Sequence, residues 1–127
     1  MKCDYAIFCE KHILDSSSNQ VTIEKMFSSL TLDGPGTAQF TYMLGITGIP
    51  KDEKGSILVV VRTPDNKELT AKWESPESAD ENTVFNSLFN CAGIPFNVEG
   101  IYSFTVQRMG EPVEIISSRS LRVSFNK

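Results

Sequence analysis

Histidine is almost absent. His12 is the only one in 127 residues, so any Ser-His-Asp or Cys-His arrangement has a single candidate base. It stands three positions after Cys9, and that spacing along a strand puts two side chains on opposite faces. A nucleophile needs its base within ~3 Å, so the pair does not read as a catalytic dyad. The serines Ser16, Ser17 and Ser18 sit in loop chemistry, and no G-x-S-x-G elbow occurs. There is no C-x-x-C, and structural zinc needs about four ligands at set spacings. No glycine-rich cradle follows a strand and opens a helix, so phosphate binding has no support. The expectation is a chain that is not an enzyme and carries no cofactor and no metal.

Positive charge is also thin. Twelve Lys and Arg stand against sixteen Asp and Glu, the net charge is −4 and the pI about 5.0. The basic residues are scattered, whereas a phosphate backbone is bound by clustered cations. Nucleic acid is therefore not an expected partner. No wholly apolar run exceeds the five residues Ile57–Val61, far short of a membrane-spanning helix.

Cysteine is scarce and odd in number: Cys3, Cys9 and Cys91 cannot all pair within one chain. Cys3 and Cys9 lie an even number of residues apart on one predicted strand, hence on one face and ~20 Å apart, too far to bond to each other. The opening MKCDYAIFCE enters a strand directly, without an apolar stretch and a small-residue cleavage site. These features predict a reducing cytoplasm, with thiols acting as small core hydrophobes.

What is present is β pattern. Apolar residues make up 40% of the chain and charged residues 22%, the balance of a globular domain. One domain spanning 1–127 is the expectation at this length. Cys3–Glu10 alternates. Val21 and Ile23 alternate and then slip phase at Met26, Phe27 and Leu30. Those residues also fit helical spacing, but the β-branched run Val21-Thr22-Ile23 and the lack of a cap favour a strand with a bulge. Gln39–Ile46 alternates clearly. Ile57–Val61 is apolar on both faces, as in a central strand or an edge folded over the core. PDNK at 64–67 is turn chemistry. Leu69, Ala71 and Trp73 then alternate with Glu68, Thr70, Lys72 and Glu74, the cleanest half-buried pattern in the chain. Thr83–Cys91 fits a helix face or a strand carrying Phe85, Phe89 and Cys91. Asn86, Ser87 and Asn90 are poor helix formers, which favours the strand. Gly100–Arg108 is a strand, MGEP turns the chain, and Val113–Phe125 returns.

About seven to eight short strands with turns between them predict an all-β fold: a single antiparallel β-sandwich, immunoglobulin-like in the loose sense. A closed barrel around a ligand is the alternative. Large inward side chains (Phe40, Tyr42, Trp73, Phe104) favour a filled core.

The stretch EGIYSFTV at 99–106 is similar to the start of the late strand of immunoglobulin domains, which reads acidic-x-Gly-x-Tyr-x-Cys and whose tyrosine hydroxyl bonds back to nearby backbone. Gly100 and Tyr102 match. Glu99 is one residue closer than the usual acid, and Phe104 replaces the cysteine, so packing takes the place of an inter-sheet disulfide. More widely, CDYAIFCEK at 3–11, GIYSFTV at 100–106 and the closing LRV at 121–123 resemble an uncharacterised family of small bacterial β-sandwich proteins. The resemblance implies the fold and brings no activity with it.

Three functional expectations follow. The first is a non-catalytic module for a protein partner or self-association, using a strand edge or sheet face. Met26, Phe27, Leu30 and Leu32 are its candidate contacts, against the competing reading of a bulged core strand. The second is a small-ligand or carbohydrate site at loops 47–56 and 75–82. An exposed aromatic in those loops would favour it, and none is present. Trp73, on the strand before 75–82, could stack on a sugar, though its apolar neighbours favour core burial. The third is an enzyme, which would need a convergent set of titratable groups where the sequence offers one histidine and scattered carboxylates. Separately, calcium between acidic loops would draw on Glu74, Glu77, Asp80 and Glu81 with Asp52 and Glu53. Their spacing lacks the pattern of a dedicated calcium loop, which favours plain solvation.

Overall fold

The computed structural model describes residues 2–15, 17, 20–48, 56–74, 85–109 and 113–126. Within them the chain forms nine strands: β1 (Lys2–Asp15), β2 (Gln20–Phe27), β3 (Ser29–Leu32), β4 (Thr41–Thr47), β5 (Ser56–Arg62), β6 (Glu68–Glu74), β7 (Phe85–Asn90), β8 (Gly100–Arg108) and β9 (Glu114–Phe125). They build two sheets, ordered β2-β1-β4-β7 and β3-β9-β8-β5-β6. The all-β expectation holds, and both ambiguous segments are strands.

The core lies between the sheets. From the first come Ala6, Phe8, Tyr42, Leu44 and Ile46; from the second Ile57, Val59, Val61, Phe104, Val106, Leu121 and Val123. Phe8 ties the layers together. Its ring stacks on Tyr42 at 4.8 Å and meets Phe104 edge-on at the same distance. Each fully buried Phe, Leu or Ile contributes roughly 1.5–3 kcal/mol, which suits a domain held without disulfides. β4 is covered on both faces, with every residue from Thr41 to Ile46 buried. On its outer face Gly45 leaves room for the Tyr5 ring, with which any Cβ would collide. The expected turn at 64–67 closes the β5–β6 hairpin. The Asn66 amide donates to the Thr63 carbonyl at 3.0 Å, and Asn66 takes φ 65°.

Several expectations need correction. The sandwich is not wholly antiparallel, because β3 pairs with β9 in parallel, Leu30 opposite Val123. The phase slip after Ile23 is not a bulge in one strand. β2 keeps a constant register with β1; the chain then bends at Ser28 and continues as β3 in the other sheet. One expected strand is thus two. Cys3 and Cys9 do not share a face. A register shift between Cys3 and Tyr5 sets Cys3 opposite inward Ile46, while Cys9 pairs with Thr41 among outward residues.

β6 departs furthest. Leu69 and Ala71 do pair with the inward Val61 and Val59, so their side was read correctly. Yet Glu68 to Lys72 are all exposed, Leu69 at 37%. β6 is the last strand of the longer sheet, and at that edge the opposite layer does not close over it.

Candidate binding cleft and strand edges

Among the described residues, nothing closes the side of the sandwich where β6 and β7 end their sheets. Between these two edges lies a cleft of about 260 Å³. Leu69, Thr70 and Ala71 form one wall. Phe89, Cys91 and Ile94 form the other, and Tyr42, Val59, Val61 and Phe104 reach it from the core. The geometry follows from local sequence. Alternation along β6 turns Leu69 and Ala71 to the inner side. Alternation along β7 turns Phe89 to meet them, and Cys91, just past the end of β7 and held by its amide on the Phe40 carbonyl at 2.9 Å, continues that face. The small side chains of Ala71 and Gly93 leave the space between.

The chemistry of this cleft is apolar. Burial pushes the Cys91 thiol up to about 12, so it stays protonated near neutral pH and is no nucleophile. Its Sγ donates to the Phe89 carbonyl at 3.5 Å. Burial also raises the Tyr42 hydroxyl well above the usual phenol range. The Tyr42 hydroxyl and the Ser87 hydroxyl are buried without a hydrogen-bond partner. Among the described residues that line it there is no carboxylate or imidazole. The cleft is suited to taking up apolar groups.

A second groove, of about 500 Å³, opens where β2 leaves the first sheet. Met26, Phe27 and Ser28 line it with Ala6, Phe8, Arg119 and Ser120. This is where two of the four expected contact residues sit. Met26 points outward and is 65% exposed. Phe27 is half-buried, stacked on Phe8 at 6.1 Å and edge-on to Phe40 at 5.4 Å. Leu30 and Leu32 also pack half-buried against the core, on β3. The structure therefore gathers Phe27, Leu30 and Leu32 onto the core and leaves Met26 outside.

Among the described residues no group of three or more metal-ligating side chains occurs, and no helix is long and apolar enough to cross a membrane. All three cysteines are free. The acidic residues considered for calcium, including the loop 75–84, and the loop 49–55 lie outside the described residues, as do the side chains of His12, Trp73 and Glu74. No family model, no curated protein and no solved structure matches the chain.

The cleft was not visible in the sequence. Its walls belong to strands that are not neighbours in any sheet, and alternation reports a strand's facing, not what lies across from it. The small residues Ala71 and Gly93 were the only local signal.

Proposed function

We propose that the chain is a non-catalytic protein-binding module that accepts an extended segment along the β6 edge. The carrying observation is a regular edge strand beside an apolar cleft. An added strand would take its main-chain hydrogen bonds from β6 and place alternate side chains over Leu69, Ala71 and Phe89. This is the usual division of labour in strand addition, with backbone for affinity and pockets for specificity. The working compartment in this reading is the cytoplasm, in keeping with three unpaired thiols.

The same reading takes the sandwich as immunoglobulin-like. The order β9-β8-β5-β6 follows the G-F-C-C′ order of variable-type domains. Near the start of β8, the Tyr102 hydroxyl donates to the Val98 carbonyl at 2.7 Å, as at a tyrosine corner. The other sheet departs, since β1 lies between β2 and β4. The resemblance to small bacterial β-sandwich proteins supports this assignment and adds no activity.

The apolar cleft favours a second reading, a small apolar ligand. At about 260 Å³ it falls just under the usual ligand pocket of roughly 300–1,000 Å³. The test is native mass spectrometry of untagged protein purified gently from its host, with amide exchange of β6. The proposed module gives a complex with a second polypeptide in which Leu69 to Ala71 exchange slowly. A bound mass of a few hundred daltons favours the ligand. A bare 14.1 kDa mass with fast exchange at β6 overturns both.

A further inference from the structure

Edges differ in how well they are guarded. Among the described residues, β2 is kinked by Lys25 at φ 56°, β3 is only four residues long, and β7 carries no charge to set a register. β6 is seven residues long, with an unbroken ladder to β5 and no proline or positive φ. Natural edges are usually blunted by a bulge, proline, covering loop or charged side chains. Among the described residues β6 has no bulge, proline or covering loop, and Glu68 to Lys72 stand exposed. Its guards are the charges Glu68 and Lys72, which repel most partners but suit one with the complementary pattern.

We propose that the occupant of this edge is a second copy of the chain, bound by antiparallel β6–β6 pairing about a two-fold axis at Thr70. The proposal rests on the reading of β6 as a binding edge and names its partner. The sequence is self-complementary in that register. Glu68 stands opposite Lys72 of the second copy, and Lys72 opposite its Glu68. Leu69 meets Ala71 beside the cleft mouth, and Thr70 meets itself. Opposite charges across a strand pair stabilise, and like charges destabilise. Centring on Ala71 instead would oppose Glu68 to Glu74. Same-parity pairing also keeps the inner faces of both copies on one side, so two five-stranded sheets join into one of ten. Self-complementarity of this kind is what a two-fold interface requires. One edge strand makes a small contact, so the dimer is weak and concentration-dependent.

The test is sedimentation equilibrium of the wild type, E68K, K72E, the double swap and a mixture, up to about 1 mM, a range that covers weak association. Wild type dimerises. Each single swap opposes like charges at both symmetric positions and weakens the dimer about tenfold or more. The double swap restores it. E68K mixed with K72E forms a mixed dimer more tightly than either forms alone. Glu68 also pairs with Arg62, so urea unfolding checks that each variant is folded. A wild type that stays monomeric at the highest concentration overturns the proposal, as does a dimer indifferent to the swaps. If the monomer still shows slowed β6 exchange in complex with a different polypeptide, self-association falls and the binding-edge reading stands.

Discussion

The Tyr102 hydroxyl donates to the Val98 carbonyl at 2.7 Å and accepts from the Val98 amide at 3.4 Å. Its ring lies edge-on to Phe96 at 4.9 Å. This one side chain ties the loop before β8 to the core. Its neighbours complete the corner. The Glu99 carboxylate accepts from the Phe125 amide at 2.6 Å, which holds the end of β9. Gly100 takes φ 138°, and a Cβ there would come within 2.9 Å of Pro64 Cγ, so glycine serves both backbone and space. Tyr102→Phe keeps the ring and loses the hydroxyl bonds, leaving the Val98 carbonyl short of a donor. The expected cost is ~1–2 kcal/mol. It is read from the urea midpoint at unchanged m-value. A change within error would mean that the hydroxyl bond contributes nothing net.

β2 and β3 show how far sequence reasoning reaches at the scale of an element. Phe27 touches both Phe8 and Phe40, yet it keeps some exposure. Phe27→Ala is expected to cost ~2–3 kcal/mol, below the full range for a buried Phe, with self-association unchanged. Met26→Ser at the exposed neighbouring position stays within about 0.5 kcal/mol. If Phe27→Ala instead abolished association and spared stability, the 26–32 segment would be a contact surface after all. The slip at Met26-Phe27 was legible, but its meaning was not. A bulge, a helix and a change of sheet all shift the facing by one residue, and which occurs depends on what lies across the sandwich. β8 was read correctly because Tyr102, Phe104 and Val106 alternate without a break, and the structure buries all three. β6 has an equally clean pattern, but burial needs an opposing layer, and no local pattern encodes where that layer stops. The cleft was hidden for the same reason, and the parallel β3–β9 pair followed from the unread change of sheet.

The molecule as a whole stores its ionisable hydrophobes in the protonated form. Burial raises the Cys91 thiol from 9.0 to about 12, and it raises the Tyr42 phenol from its ordinary 10.0. A group whose value is higher in the folded chain binds its proton more tightly there. Its contribution is fully present below the unfolded value and is lost as pH rises through the folded one. Burial raises Cys3, Cys9, Tyr5 and Tyr102 as well. Stability should therefore be level up to about pH 8.5 and fall above it, first through the thiols, with Cys91 contributing most, and then through the phenols, with Tyr42 contributing most. The limiting slope is about 1.4 kcal/mol per pH unit for each group. Urea unfolding under reducing conditions from about pH 7 to pH 10.5 measures this, since that interval spans both unfolded values. Tyr42→Phe separates the Tyr42 contribution from the rest. It removes one titration and also a buried hydroxyl with no partner. The variant should be about 1 kcal/mol more stable at neutral pH and lose stability less steeply near pH 10. Alkaline stability as flat as that at neutral pH would mean that water reaches Cys91 and Tyr42 in the folded chain. The open side of the sandwich between β6 and β7, which both residues line, would be its route.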